Sequence, residues 1–535
     1  MSFKVTCRIK SYIQPFEREL GLRELESLAG SPPKPVMDLG EQPECFSVTS
    51  GVGPRELARD LAFWEAVSGD GSVTTTQSLR EATASLVRNG IALEELAARL
   101  PFKDSVPLPN RRCLRYGTHG LHEYRGKFFP QLVRAFVNIG GVPRGGLVVD
   151  PFCGSGTSAV ETILAGRDAF GLDMNPLSVF MARTKCGVLG VEVEELEKCY
   201  GDVRKRILNA DGYGKEGPRS PGRAACYTEY LAGWFDSRIL AELEQIRVCV
   251  MSVSAGAVRD FFLLSLSNIL RRVSCQKEDD LRIRKEVKAA DEIDPVKEFL
   301  EEVGRSVRLL LAFLRQEGSS GLGRFQIHEG DSRKLATDWR EYRRKADVII
   351  TSPPYATALP YLDTDRLSLC FLGLLPRVQH RERDKAMIGN REITDRTRRD
   401  YWGAFKSTGN GLPRSVKKLI SEIQTLNQSR DVGFRRRNLP SLLYKYFDDM
   451  RQVFVGMREI LKPGASAFVV VGNNHTIAGG KRVDITTVRL LADVAEAVGF
   501  EMVEEIPMEM LVSREIFKKN AIESESILRF RNRQD

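Results

Sequence analysis

Apolar and polar positions change period several times along the chain. VTCRIKSYI, from Val5, alternates and predicts a strand. PFERELGLRELESLAG, from Pro15, places Leu20, Leu22, Leu25 and Leu28 at helical spacing and stops at Gly30. SPPKPVMDLGEQP reads as a loop, and Pro54–Gly69 and Ser78–Leu100 read as two further helices. GGLVVD is a short apolar run closed by an acid. Gly-rich PFCGSGT follows it, then helical SAVETILAG and a second strand, DAFGLD, also closed by an acid. Strand–loop–helix–strand is the opening of a parallel α/β sheet. Helical periodicity dominates residues 187–321, in VEELEKCYGDVRKRIL, EYLAGWFDSRILAELEQIRVCV, AVRDFFLLSLSNILRRV and VKEFLEEVGRSVRLLLAFLRQ. Strands return with RFQIHEGDS and ADVIITSPPY. Residues 374–440 are polar, basic and short of long apolar stretches. A helix (Leu442–Leu461), the turn KPG, strand AFVVVGNN, a helix (Thr486–Val498) and strand ESILRFR close the chain.

The expected fold is α/β, a doubly wound, mostly parallel, Rossmann-like sheet assembled from separated pieces. The pieces are core segments 111–186, 322–373 and 441–535. An N-terminal accessory unit (1–110) precedes them, and a helical insertion (187–321) and a basic insertion (374–440) interrupt them. A length of 535 residues suits three or four such units, and 42% hydrophobic residues can bury a sizeable core. The ten cysteines form no C-x-x-C pair, and the five histidines are spread widely, so no metal site is expected. No apolar run approaches the roughly 18–20 residues of a membrane span. MSFKVTCRIK is not signal-like, so reduced cysteines and a cytoplasmic location are expected.

In VVDPFCGSGT, Gly154 and Gly156 follow Asp150 at a strand end, where glycine lets the backbone approach a ligand. Neither G-x-G-x-x-G nor G-x-x-x-x-G-K-[ST] is present, which weakens dinucleotide and nucleoside-triphosphate readings. Asp173 closes the next strand, 23 residues after Asp150. An acid there is suited to the two ribose hydroxyls of an adenosine; a helix N-cap is the structural alternative.

These motifs resemble those of the DNA amino-methyltransferases of the N4-cytosine and N6-adenine type. DPFCGSGT is similar to their first motif and GLDMNP to their second. GDSRKL is similar to their third and HEYRGKFFPQL to the segment that closes over the methionine end of the cofactor. The resemblance implies S-adenosylmethionine as cofactor. It assigns binding to Lys127, Phe128, Pro130, Asp150, Pro151, Phe152, Gly154, Gly156, Thr157, Asp173, Asn175 and Asp331, the last toward the adenine amino group.

ADVIITSPPY is a strand ending in Thr-Ser-Pro-Pro-Tyr. Prolines cannot continue the ladder, and they leave carbonyls free as acceptors just past the strand. Ser352 Oγ and the Pro353 carbonyl are placed to accept N–H bonds from an exocyclic amine, freeing its lone pair for direct in-line transfer. Pro354 completes the turn, and Tyr355 offers a face for a flipped base. For SPPY alone, a plain turn is the alternative. In the resemblance Ser at this position marks the cytosine-N4 group more often than the adenine-N6 group. Carbon methylation needs a thiolate nucleophile. Neither Cys153, inside the glycine loop, nor Cys275, in VSCQ, has the Pro-Cys context for one.

Residues 377–437 hold sixteen Lys and Arg against seven Asp and Glu. Their excess of nine equals the net charge of the whole chain, +9. Tyr401, Trp402, Phe405 and Phe434 are interleaved. Arg398, Arg399, Arg435, Arg436 and Arg437 are therefore expected to hold nucleic acid, a solvated surface being the alternative. The expected partner is DNA, with a restriction or defence partner beside it. An alternative is RNA methylation at guanine N2, because residues 11–69 resemble the N-terminal half of a family of tRNA guanine methyltransferases. Those normally carry Asp-Pro-Pro-Tyr where this chain has Ser352-Pro-Pro-Tyr. A third reading is a binding module that kept the fold and lost activity, against which the intact Asp150, Asp173 and SPPY argue.

Overall fold

The computed structural model describes residues 2–36, 44–69, 71–100, 111–124, 126, 129–209, 225–277, 284–286, 289–318, 320–356, 361–407, 411–428, 432–509 and 524–533. The N-terminal strands are β1 (Phe3–Ile9), β2 (Lys34–Pro35), β3 (Cys45–Ser50), β4 (Trp64–Gly69) and β5 (Gly71–Thr74). They form an antiparallel sheet in the order β2-β3-β1-β4-β5. The central sheet comprises β6 (Leu147–Asp150), β7 (Asp168–Asp173), β8 (Phe325–Glu329), β9 (Ala346–Thr351) and β10 (Leu461–Gly472). After the hairpin β11 (Asn474–Ala478) and β12 (Lys481–Ile485), it is completed by β13 (Phe500–Glu509) and β14 (Ser524–Asn532).

The central order is β13-β14-β10-β9-β6-β7-β8. All neighbours pair in parallel except β14, which runs antiparallel to both β10 and β13. From β6 the chain winds one way through β7 and β8, then crosses to β9 on the other side. β6 and β9 are thus the switch point, outside whose carboxyl ends open α/β sheets bind ligands. Their pairing joins GGLVVD to ADVIIT, with Val148 opposite Val348 and Val149 opposite Ile349.

Both faces of this sheet are covered, so its strands read as unbroken apolar runs. Val149, Ile349, Ala467 and Val469 face a core built with the helices Phe434–Ile460 and Thr487–Ala497. Val148, Val348, Ile350, Phe468 and Val470 face the helix Pro130–Ile139 and the N-terminal sheet. Phe136 stacks on Phe468 there, with centroids 4.5 Å apart. Asn138 Nδ2 donates to Glu24 Oε2 at 2.8 Å, tying the helix Pro15–Ala29 to the same face. A separate apolar core joins Leu177 and Met181 to the helices Val193–Leu208, Ser237–Met251, Ala257–Ile269 and Pro295–Glu317.

Several local expectations are corrected. Pro54–Gly69 is not one helix: the helix ends at Asp60 and Trp64–Gly69 is β4, paired to β1. Trp64 is fully buried and its Nε1 donates to Gly21 O, so tertiary packing decides this bulky stretch. Ser78–Leu100 is two helices, Thr76–Arg88 and Leu93–Arg99, separated at Gly90, whose φ is 88°. EYLAGWFDSRILAELEQIRVCV breaks after Ala232, and Asp236 caps the next helix through the Arg238 N–H. Residues 374–440 hold the helices Arg377–Ala386, Asp395–Lys406 and Arg414–Gln428. The long helix starts at Phe434 rather than Leu442 and runs through Pro440. Proline there has no N–H for the carbonyl of Arg436, and Asn427 Nδ2 donates to that carbonyl instead, at 2.8 Å.

The helix behind the glycine loop, Thr157–Leu164, carries the fully buried Glu161. Glu161 accepts hydrogen bonds from Tyr116 Oη at 2.6 Å and Arg134 Nε at 3.1 Å, and pairs with His119 Nε2 at 2.9 Å. Arg80, at 4.0 Å, also binds Glu317 of the helical unit. Burial alone pushes the Glu161 carboxyl up; Arg134, His119 and Arg80 more than offset it and bring it down to about 2. A depressed carboxyl contributes stability above its unfolded value that is lost as pH falls toward 2. Glu161→Ala takes its carboxylate from the buried Arg134 and is expected to cost about 3–5 kcal/mol in urea unfolding at pH 7. A loss below about 1 kcal/mol would contradict this reading of the network.

Candidate functional site

At the carboxyl edge of β6, β7 and β9 lies a cavity open to solvent. Phe152, Cys153, Gly154, Ser155 and Thr157 supply one wall from the loop after β6. Asp173, Met174 and Asn175 supply another from the end of β7, and Ser352 and Pro354 a third from the end of β9. Tyr124, Gly126, Ser332, Met387 and Ile388 close it.

The loop geometry follows from hydrogen bonds that glycine makes possible. Gly154 and Gly156 have φ of 48° and 86°, in the left-handed region. A Cβ on Gly154 would come 3.0 Å from the Tyr124 ring, and one on Gly156 would come 2.8 Å from Ala182 Cα. Asp173 Oδ2 accepts the Gly154 N–H at 3.0 Å, and its Oδ1 accepts the Asn175 N–H at 2.8 Å. Asn175, not Asp173, caps the following helix, with Oδ1 accepting the Leu177 N–H; its Nδ2 donates to Asp365 at 2.7 Å. Asp173 is half-buried and on the cavity wall, and burial pushes its carboxyl up to about 7. A half-buried carboxylate with unused lone pairs is suited to hydroxyl donors that stabilise its charged form.

Asp150 has a different place. It is 3% exposed and off the cavity wall, accepting Phe152 N–H at 3.0 Å, Ser158 Oγ–H at 2.6 Å and Thr351 Oγ1–H at 2.7 Å. Burial pushes it up to about 6 against those bonds. It organises the site from beneath. Pro151 holds Ser332 through a hydrogen bond from the serine hydroxyl to its carbonyl. Pro130 starts the helix Pro130–Ile139 and does not line the cavity. Lys127 and Phe128 lie outside the described residues. Asp331 is off the wall as well, its carboxylate held by Arg333.

Pro353 is buried, and the Ser352 hydroxyl has no hydrogen-bond partner among the described residues. Tyr355 Oη donates to Glu525 Oε1 at 2.6 Å, and burial raises that carboxyl. Asn474 Nδ2 holds the next carbonyl, of Ala356, at 3.1 Å. The cavity-facing Cys153 is buried, which pushes its thiol well up, the opposite of an activated nucleophile. Cys275 is half-buried, with its N–H bonded to Trp234 O.

In the basic segment Arg399, Arg435, Arg436 and Arg437 are exposed. Arg398 pairs with Asp395 at 3.1 Å, and Arg435 pairs loosely with Glu392 at 3.9 Å. The aromatics do not share that exposure. Tyr401, Trp402 and Phe405 pack on the core beside Tyr444, and Phe434 alone of the four stands half exposed. Tyr124, Met174, Ser332, Met387 and Ile388 were not expected at the cavity. Tyr124, Met174 and Ser332 sit within or beside the motif strings; Met387 and Ile388 are an apolar pair in an otherwise charged run.

The sequence matches an RMKL-like methyltransferase domain over residues 122–208. It is 25% identical to the type II methyltransferase M.MvaI of Kocuria varians over 370 residues, 66% of this chain and 77% of that protein. It is 21% identical to the type II methyltransferase M.BsoBI of Geobacillus stearothermophilus over 443 residues, 74% of this chain and 82% of that protein. A 52-residue stretch is 40% identical to the tRNA (guanine(10)-N2)-dimethyltransferase of Methanothermobacter thermautotrophicus, 10% of this chain and 16% of that protein. The chain thus resembles methyltransferases along most of its length.

Gly156→Ala is expected to cost about 1–3 kcal/mol through its positive φ and the contact with Ala182. Ala182→Gly in the same chain should recover part of that loss. Thermal unfolding of the single and double variants checks it, and an unshifted single variant would contradict the packing described.

Proposed function

We propose that this protein methylates an exocyclic amino group of a base in DNA, cytosine N4 before adenine N6, using S-adenosylmethionine. One observation carries the reading: a single cavity brings Asp173 and the glycine loop within reach of a ligand that also meets Ser352. The type II methyltransferases, similar over about two thirds of the chain or more, support DNA as the acceptor.

The residues present fit the cofactor. Gly154, on the cavity wall with positive φ, presents bare backbone beside Tyr124, and Asp173 keeps lone pairs for ribose hydroxyls. Phe152, Met174 and Ile388 offer apolar contact to a purine, and Tyr124 and Gly126 belong to the segment resembling the closure over the methionine end. When bound, S-adenosylmethionine supplies an electrophilic methyl group. Ser352 Oγ and the Pro353 carbonyl accept the two N–H bonds of the target amine, drawing its nitrogen toward tetrahedral geometry. Tyr355, tied through its hydroxyl to Glu525, supports the flipped base. The exposed Arg399, Arg435, Arg436 and Arg437, with Arg398, bind phosphates. No covalent bond from protein to base forms, because the amine attacks directly. A restriction nuclease partner and a cytoplasmic location belong to the same reading.

Labelled cofactor with duplex DNA or with tRNA, followed by digestion and mass identification of the nucleoside, tests this. N4-methylcytosine in DNA is expected. N2-methylguanine in tRNA, the reading favoured by the 52-residue relative, would overturn it. No transfer to either, with cofactor still bound, would leave a binding protein. Ser352→Ala is expected to lower kcat by roughly 10²–10³ without changing cofactor affinity. Tyr355→Ala should weaken target capture by about 1–3 kcal/mol.

Ribose hydroxyls favour the Asp173 carboxylate, so cofactor binding expels a proton below the free value of about 7. Affinity for S-adenosylhomocysteine is expected to rise from pH 5.5 to about 7 and to level above it. Asp173→Asn should remove that slope and weaken binding about tenfold or more. Calorimetry showing a flat profile for the unaltered protein would contradict the role of Asp173.

A further inference from the structure

The acid that the resemblance assigns to the cofactor's amino group is engaged elsewhere. Asp331 Oδ1 accepts from Arg333 N at 3.0 Å and Nε at 2.9 Å, and Oδ2 accepts from Nη2 at 2.7 Å. The same guanidinium reaches the insertion. Its Nη1 donates to Asp449 Oδ1 at 3.0 Å and its Nη2 to the Ala386 carbonyl at 2.9 Å. Asp449 is also paired with Lys445, whose Nζ donates to the Met387 carbonyl at 3.3 Å. Two cations, each held by carboxylates, therefore grip two successive carbonyls, of Ala386 and Met387.

The loop that begins there is a wall of the site. Met387 and Ile388 line the cavity. Gly389 follows with φ of 78°, and a Cβ on it would come 2.9 Å from Tyr355 O and 3.3 Å from Pro354 Cβ. The loop is held on one side by ions and pressed on the other against the Ser-Pro-Pro-Tyr turn. Burial pushes the Asp331 carboxyl up, and the Arg333 bonds and charge more than offset this, keeping it below the usual range. Turning this carboxylate to a neutral amine would strip a partly buried guanidinium of its main partner.

We infer that Asp331 acts on the cofactor through Arg333 rather than by contact. Arg333 is the positioning residue that sets Met387 and Ile388 as the apolar wall shared by cofactor and target base. The wall comes from the basic insertion, so the element proposed to hold DNA also shapes the cofactor cavity. This rests on the proposed function in that the ligand is taken to be S-adenosylmethionine.

A double-mutant cycle read by calorimetry with S-adenosylhomocysteine tests it, with melting temperature recorded for each variant. Arg333→Met and Ile388→Ala are each expected to weaken binding about tenfold, and Asp331→Asn to weaken it in the intact background. In the Arg333→Met background, Asp331→Asn and Ile388→Ala should add little, because the wall is already displaced. If Arg333→Met does not fold, Arg333→Lys takes its place in the cycle. A further tenfold loss from Asp331→Asn in the arginine variant means direct contact and overturns the inference. Unchanged affinity in Arg333→Met overturns it too. Unaltered protein that does not bind S-adenosylhomocysteine overturns the proposed function and this inference together, whereas normal binding with an additive cycle overturns the inference alone.

Discussion

The Asp150 carboxylate accepts hydrogen bonds from the Phe152 N–H, the Ser158 hydroxyl and the Thr351 hydroxyl. Those donors belong to the loop after β6, the helix behind it and the last residue of β9, about two hundred positions further on. The acid is buried, which raises its carboxyl, and three bonds that oppose this hold it in one place. Because Thr351 is fixed, Ser352 emerges at the cavity rather than a residue away, where the strand's period of two would turn it to the other face. Because Phe152 is fixed, the glycine loop arches toward Asp173. The two halves of the site are set by one carboxylate that lies off the cavity wall.

The helix carrying Ser158 also carries Glu161, one turn on. Glu161 fixes that helix to Tyr116, His119 and Arg134, while Arg80 extends the network to Glu317. A short helix of eight residues is thus anchored at its front by the site and at its back by elements from the N-terminal and helical units. This gives those units a physical part in the site: they hold the helix from which the glycine loop springs. Asp331, Arg333, Asp449 and Lys445 do the same on the other side, joining the end of β8 to the long helix and the insertion loop.

Much of this was legible where local chemistry and long-range packing agree. The order strand, glycine loop, helix, strand places Asp150 and Asp173 correctly because each ends an apolar run that a covered parallel sheet requires. Pro353 and Pro354 mark the end of β9 because they cannot continue the ladder. The sequence pattern misled where packing overrode it. Trp64–Gly69 became a strand between β1 and β5 rather than a helix because Trp64 fills that core and bonds to Gly21 O. Helix in the basic segment was hidden because its buried side chains are few, as in Val416, Ile420 and Ile423 of Arg414–Gln428. The hydrogen-bond partners of Asp150, Asp331 and Met387 could not be read from any motif. Each depends on a partner far along the chain: Thr351 for Asp150, Asp449 in the network around Asp331, and Lys445 for Met387.

The most direct test of a single shared cavity is an experimental structure of the protein with S-adenosylhomocysteine bound. Expected are ribose hydroxyls on the Asp173 carboxylate, the purine against Met387 and Ile388, the sulfur turned toward Ser352, and Asp150 still bonded to Phe152, Ser158 and Thr351. Ligand bound away from Asp173, or with its sulfur turned from Ser352, would contradict it.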